Sequence, residues 1–149
     1  MQINAMLQVW TDGCCNKKGQ GWAVIVPSQK IILRAEVPGA TSQQAELSAI
    51  IQAVYKFGND LHIFTDSKYS IGCFIEWYLN WIKNGWKNSK GETVKNQPLI
   101  QLGLQLGAQT CTYTHVKSHQ GNLYNEMADY YAKNSTLQVQ HSDWTIIHG

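Results

Sequence analysis

The sequence lacks the features that identify several large classes of protein. It has four cysteines and no CxxC pair, so neither a disulfide framework nor a zinc ribbon is expected. No apolar run approaches the roughly 18 residues of a membrane span, and the N-terminus has no basic segment followed by an apolar one. We therefore expect no membrane association, no signal peptide and a reduced, cytoplasmic setting.

Charge is also scarce. Charged residues make up 15% of the chain, only ten residues are acidic, and the formal net charge of +2 is too small to indicate a partner. Hydrophobic residues make up 44%, enough for a packed core, and 149 residues fit one domain spanning 1–149. Six tryptophans and seven tyrosines are many for this length, so some can form exposed stacking surfaces.

The hydrophobic pattern predicts a mixed α/β fold. Three β-rich runs come first, and the first of them, "MLQVWTDG", is expected to end in a turn at Asp12-Gly13. "TSQQAELSAIIQAVYKF" has the helical period, and "LHIFTD" is typical of a short buried strand. "KYSIGCFIEWYLNWIKN" is helical with a break expected near Gly72. The full order, βββαβαααβα, predicts an α+β arrangement with a five-stranded mixed sheet, antiparallel first and parallel later.

Four of the ten acids occupy half-buried places in this pattern. Asp12 and Asp66 end the first and fourth strands, where sites form in open α/β sheets. Glu46 lies on the inward face of the first helix, and Asp129 lies beside apolar residues of the last helix. Clustered buried carboxylates repel, and a hard divalent cation, Mg²⁺ or Mn²⁺ rather than zinc, resolves the conflict. The alternative is that each acid is a helix cap or a solvated charge.

Lysines and tryptophans interleave between residues 77 and 95. The lysines are Lys83, Lys87, Lys90 and Lys95, and the tryptophans are Trp77, Trp81 and Trp86. Basic side chains pair with phosphates and aromatic faces stack on bases, so the stretch predicts a nucleic-acid contact. A solvated loop that follows a helix with core tryptophans is the alternative.

Five stretches, taken in order, resemble the type 1 ribonucleases H. They are "WTDGCC" (10–15), "TSQQAEL" (41–47), "FTDSKY" (64–69), "WYLNWIKNGWKNSKGETVKN" (77–96) and "HVKSHQGNLYNEMAD" (115–129). The resemblance covers nearly the whole chain and implies the ribonuclease H-like fold. It also implies a monomeric, metal-dependent endoribonuclease that cleaves the RNA strand of RNA–DNA hybrids to 5′-phosphate and 3′-hydroxyl ends. The form it matches is the compact, stand-alone one, which has a basic protrusion and no separate hybrid-binding domain.

The resemblance assigns the catalytic residues. It implies that Asp12, Glu46, Asp66 and Asp129 bind two Mg²⁺ ions, with Mn²⁺ as a substitute, at the scissile phosphate. His119 matches a histidine on a mobile loop that carries a proton or aids product release.

The resemblance also implies a set of substrate-binding residues. Residues 77–96 match the basic protrusion that grips the DNA strand, with Trp81 exposed in the DNA channel and Trp77 beside it. Thr41 and Asn96 match positions that hold a DNA phosphate. The remaining substrate-binding predictions are Cys14, Cys15, Ser42, Gln43, Lys68, Lys83, Lys87, Lys90 and Lys95.

Two departures from the family pattern affect substrate preference. Many relatives have Asn where Ser42 stands and Gln where Lys68 stands.

Two other functions stay open: a catalytically weak nucleic-acid-binding domain, and a ribonuclease H domain of reverse-transcriptase type. The presence of all four acids together with His119 argues against the first.

Overall fold

The computed structural model describes residues 6–16, 19–117, 120–133 and 143–149. His119 lies outside the described residues. In chain order the elements are β1 (Leu7–Asn16), β2 (Gly19–Val26), β3 (Ile31–Glu36), α1 (Ser42–Phe57), β4 (Leu61–Thr65), α2 (Lys68–Ile71), α3 (Tyr78–Lys83), α4 (Gln97–Leu106), β5 (Thr112–His115), α5 (Leu123–Lys133) and β6 (Thr145–His148).

The strands form one mixed sheet in the order β5-β4-β1-β2-β3-β6. The pairs β1–β2 and β2–β3 are antiparallel, whereas β1–β4 and β4–β5 are parallel, as the sequence predicts. The sheet has six strands rather than the predicted five, because β6 pairs in parallel with β3. The predicted turn at Asp12-Gly13 is also wrong, since β1 continues to Asn16 and stays paired with β2.

Helices cover the sheet on both faces and create two apolar cores. On one face, α1 packs β1 through Leu47, Ile50 and Val54, with Phe74 and Ile100 in the same core. On the other face, α5 packs β1 and β2, and the core there includes Met127, Tyr131 and Ile25. These side chains are removed almost completely from water, so the hydrophobic effect holds the helices against the strands.

The helical stretch after β4 is continuous. Where a break is expected near Gly72, the structure has a wider π-helical turn over Gly72–Trp77 that joins α2 to α3. The Trp77 ring lies on Gly72, where an added Cβ would meet the ring at 2.3 Å. Within the described ranges, no helix has the length and apolar character needed to span a membrane.

Candidate active site

Two acids follow directly after paired residues of the parallel strands β1 and β4. Thr11 pairs with Thr65, and both are fully buried. Asp12 follows Thr11 within β1, and Asp66 follows the last residue of β4, so the shared register brings both carboxylates to the same end of the two strands. A rigid buried strand under each acid limits its movement.

Helix α1 carries the third acid to that edge. Its start is set by a capping box in which Thr41 accepts from the backbone of Gln44 and the Gln44 side chain accepts from the backbone of Thr41. Glu46 lies five residues further on. The helix approaches β1 closely at Gly13, where an added Cβ would lie 2.3 Å from backbone atoms of Ala45 and Glu46. Only glycine allows this approach.

Asp12, Glu46 and Asp66 offer carboxylate oxygens that all lie within 4.8 Å of one another. Asp12 is 3% exposed, and its Oδ1 accepts the Gly13 backbone N–H at 2.9 Å. The Oε2 atom of Glu46 is buried and has no hydrogen-bond partner in the part of the chain that the structure describes. An orphaned buried carboxylate oxygen beside two further carboxylates is a donor set that suits a hard cation with oxygen ligands.

The electrostatics of this cluster are unfavourable without a counter-charge. Burial, together with the charges of Asp66 and Asp129, raises the pKa of Asp12 from 3.8 to about 7. Burial, and next the charge of Asp12, raises the pKa of Glu46 well above its ordinary value. Both acids therefore hold protons more tightly than exposed carboxylates do, until a cation replaces them.

Asp129 lies at the rim of the cluster rather than inside it. It projects from α5 close enough to Asp12 to raise the pKa of that carboxyl. Its Oδ2 accepts from the Lys133 ammonium at 2.8 Å, one helical turn away. The structure thus brings all four predicted acids together, with three in the tight group and the fourth paired with a lysine.

Comparison with known proteins places the chain in a family. The model of the RNase H family, described as RNase H, matches residues 4–136. The chain belongs to the ribonuclease H family. It is 35% identical over 135 residues to a ribonuclease H of Neorickettsia sennetsu, covering 84% of this chain and 89% of that protein. Family membership makes it a hydrolase that acts on the RNA of RNA–DNA hybrids, as the sequence predicts.

Two solved structures share the ribonuclease H fold. LC9-RNase H1, described as a type 1 RNase H with the type 2 active-site motif, superposes with a TM-score of 0.66 at 24% identity, over 87% of this chain and 72% of that one. A foamy viral protease-reverse transcriptase in complex with RNA/DNA hybrid superposes with a TM-score of 0.65 at 22% identity. That match covers 86% of this chain and 20% of the viral one.

Two predicted substrate-binding residues, Thr41 and Asn96, belong to one hydrogen-bonded group. The Gln44 side chain donates to Asn96 Oδ1 at 3.3 Å, and Asn96 Nδ2 donates to the Tyr69 hydroxyl at 3.0 Å. Because Gln44 also completes the cap of Thr41, Thr41 and Asn96 lie on the same network although 55 positions separate them in the chain. The network therefore holds Thr41 and Asn96 in fixed positions relative to each other.

The predicted substrate-binding residues near Glu46 and Asp66 vary in exposure. Ser42 is exposed, whereas Gln43 is half-buried, and its buried Oε1 atom has no hydrogen-bond partner among the described residues. Cys14 and Cys15 are half-buried, and the Cys15 thiol donates to the Ala40 carbonyl. Lys68 is exposed two residues after Asp66.

The aromatic residues form a continuous row. Ring centroids are 6.2 Å apart for Tyr69–Trp77, 5.8 Å for Trp77–Trp81 and 6.0 Å for Trp81–Trp86. Trp77 is 39% exposed, but Trp81 is half-buried against the first core, so Trp77 rather than Trp81 has the more accessible ring.

The predicted basic residues lie beyond this row. Lys83, Lys87, Lys90 and Lys95 are all exposed. Lys87 forms a bridge with Thr93 across the loop and donates to its hydroxyl at 3.1 Å. The loop therefore has defined structure, and it presents cations next to an aromatic surface.

Sequence reasoning missed two residues that contact the acids. His115 ends β5 opposite Thr65, and its Nε2 is 3.2 Å from the Asp66 carbonyl, to which it donates. Lys133 pairs with Asp129. The spacing of four residues between Asp129 and Lys133 could have predicted this ion pair, since side chains four residues apart are neighbours on a helix surface. His115 had no comparable local signal, because its position depends on the pairing of β5 with β4.

Proposed function

We propose that the four acids Asp12, Glu46, Asp66 and Asp129 hold two divalent cations, Mg²⁺ in the first place and Mn²⁺ as a substitute. The enzyme then cleaves the RNA strand of a hybrid to 5′-phosphate and 3′-hydroxyl ends. The observation that supports this best is the approach of three carboxylates to within 4.8 Å. The buried Oε2 of Glu46 adds a ligand atom that no hydrogen bond satisfies among the described residues.

The residues of the chain have separate parts in this chemistry. Bound cations supply activation of the attacking water and stabilisation of the leaving oxygen. Asp12 is held in one orientation by the Gly13 N–H, and Asp66 by the strand below it. Lys133 neutralises Asp129 until substrate arrives, which keeps four negative charges from facing one another. His119 is the proposed proton carrier, a common role of histidine side chains in catalysis.

We propose that the substrate crosses from the acids to the basic loop. The DNA strand would contact Thr41 and Asn96 through a phosphate, and Trp77 with Trp81 through its sugars. Lysines 83, 87, 90 and 95 would pair with further phosphates. Ser42, Gln43, Cys14 and Cys15 would line the minor groove next to Glu46, where the RNA 2′-hydroxyl distinguishes RNA from DNA. The viral structure with the same fold was determined with an RNA/DNA hybrid, which is consistent with this substrate.

One cleavage assay tests the proposed reaction. Labelled RNA–DNA hybrid, duplex RNA, duplex DNA and single strands are incubated with and without Mg²⁺. We expect cleavage of the hybrid alone, and only with the cation. In Asp66→Asn the rate should fall by more than about 100-fold, since even an outer partner of a metal ligand can cost that much. Hybrid binding should survive, and substantial turnover by Asp66→Asn would contradict the assignment.

The basic loop has its own test. In the triple variant of Lys87, Lys90 and Lys95 to Ala, we expect weaker hybrid binding and a shallower dependence of affinity on salt, by roughly 0.7–0.9 in the log–log slope per lost phosphate contact. Lys56→Ala, an exposed lysine at the end of α1, is the matched control. An unchanged slope in the triple variant would exclude the loop from the interface. The single domain spanning 1–149 and the monomeric state both stay predictions. Sedimentation would check the monomeric state.

A further inference from the structure

An open cavity of about 610 Å³ lies beside the acid cluster, between the α2–α3 stretch and the end of β5. Two of its lining residues are close to Asp66. Lys68 follows Asp66 by two positions in the chain, and His115 contacts the Asp66 carbonyl. Its lining residues are Lys68, Tyr69, Ile71, Glu76, Trp77 and His115. The volume is in the range of pockets that hold a small ligand such as a mononucleotide.

The wall of this cavity combines three kinds of group that recognise a nucleotide. Lys68 supplies a cation and Glu76 a carboxylate, and both are exposed. Within the described residues neither side chain makes an ion pair or a side-chain hydrogen bond, so the two opposite charges are not used to satisfy each other. Trp77 supplies an aromatic surface that is 39% exposed.

The aromatic surface is held in place before any ligand arrives. The Trp77 ring rests on Gly72, and the rings of Tyr69 and Trp81 support it from two sides. A fixed ring loses little conformational entropy when a base stacks on it. Such stacking accepts every base, so any choice among bases must come from a polar group in the same cavity.

Glu76 is the polar group of the cavity that can distinguish one base from another. An ionised carboxylate only accepts hydrogen bonds, and it accepts two when the donors are adjacent. Guanine presents two adjacent donors, the N1–H and the N2 amino group, on its Watson–Crick edge. Adenine, with an unprotonated N1, and uracil each offer one donor there, and cytosine offers only its N4 amino group.

We propose that this cavity binds a guanosine 5′-monophosphate unit, with its base on Trp77, its two donors on Glu76 and its phosphate on Lys68. A base paired in a duplex has its Watson–Crick edge occupied, so the occupant is an unpaired nucleotide. A 5′-phosphorylated RNA product that has left the hybrid presents such a nucleotide. Because Trp77 also has a proposed contact with the DNA strand, the nucleotide occupies the cavity only when no hybrid is bound. The link to the product rests on the proposed function, whereas the binding of the nucleotide does not.

Calorimetric titration with the four nucleoside 5′-monophosphates, without any divalent cation, tests the binding. We expect GMP to bind with a dissociation constant at least about fivefold below that of AMP, the lower end of what a bidentate base contact provides. Equal affinity for the four nucleotides would overturn the base recognition. Inorganic phosphate that displaced bound GMP at the same concentration as free GMP does would also overturn it. The cleavage assay is separate, so hybrid cleavage can stand when this binding fails.

Two Glu→Gln substitutions, one inside the cavity and one outside it, test whether the preference for GMP depends on the cavity. Glu76→Gln replaces one acceptor by a donor and should remove the preference for GMP over AMP. Glu92→Gln, in the exposed loop outside the cavity, should keep it. Lys68→Ala should weaken all four nucleotides by a similar factor. Binding of GMP by Glu76→Gln at wild-type strength would exclude the proposed site, provided that the variant melts like the wild type.

Discussion

The energetic problem of the active site is concentrated in Asp12. Its side chain is 3% exposed and lies next to three further acids, so its charge is neither hydrated nor balanced. The Gly13 N–H provides one favourable contact, but burial dominates and raises the pKa to about 7. The site therefore opposes folding in its charged, cation-free form and binds cations for the same reason.

Replacing Asp12 by Asn should stabilise the cation-free protein at high pH. The folded pKa of about 7 exceeds the ordinary value of 3.8, so the folded state binds more protons between these values. The free energy of unfolding of the wild type consequently falls as pH rises through this window. At about pH 8, Asp12→Asn should gain on the order of 2 kcal/mol, and the gain should vanish near pH 4. Urea unfolding in a chelator measures it.

The control for this measurement is Asp60→Asn, which changes an exposed acid outside the cluster. It should leave the pH dependence of the wild type in place. A wild type that is more stable than Asp12→Asn at about pH 8 without cations would contradict the unfavourable charge. Cation addition should reverse the order, because only the wild type has the full ligand set.

At the scale of elements, the sequence predicted the parts of the site better than the distances between them. Asp12 in β1 and Asp66 just after β4 were predicted from apolar runs that stop at a carboxylate, and Glu46 was predicted from the helical period. The close packing of α1 against β1 could not be predicted from the sequence, because Asp12-Gly13 has the sequence of a turn. Gly13 is instead a residue of a continuing strand, and it is small because a helix backbone lies against it.

Gly13→Ala should therefore move Glu46 away from the other acids. The new methyl group would lie 2.3 Å from backbone atoms of α1, which cannot rotate away as a side chain can. Overpacking of this kind costs about 1–3 kcal/mol of stability. We expect Mn²⁺ affinity, measured by calorimetry on protein that is still folded, to fall together with stability.

Gly21→Ala is the matched control for this prediction. Its added Cβ would lie 2.6 Å from the Ala35 carbonyl oxygen and 2.7 Å from that of Ala132, so it also strains backbone. These contacts involve β3 and α5 rather than α1. The variant should lose similar stability, but its Mn²⁺ affinity should fall less than that of Gly13→Ala, because α5 carries only Asp129, which lies at the rim of the cluster. If both variants kept or lost affinity to the same extent, the close approach of α1 at Gly13 would not be what positions Glu46.

The whole molecule has one feature that sequence reasoning missed, the sixth strand. "TIIH" is a short run in a polar tail, and its partner β3 lies more than 100 residues earlier, so no local pattern predicts the pairing. The structure anchors it through the Lys30–Asp143 ion pair at 2.8 Å and through the Gly149 N–H, which donates to the Arg34 carbonyl at 2.7 Å. In the sheet order, β6 is three strands away from β1.

Substitutions in β6 should separate the stability of the fold from its chemistry. Ile146 packs against the second core and Ile147 against the first, both half-buried. Ile146→Ala and Ile147→Ala should each lower the free energy of unfolding by about 1–2 kcal/mol, less than a fully buried isoleucine would lose. Thr145→Ala, at an exposed position of the same strand, should change it little. Because the acids lie on β1, β4, α1 and α5, hybrid cleavage per folded molecule should stay within about twofold of the wild type, as expected for distant sites that do not couple. Loss of cleavage without loss of stability would instead show that the sixth strand contributes to the active site.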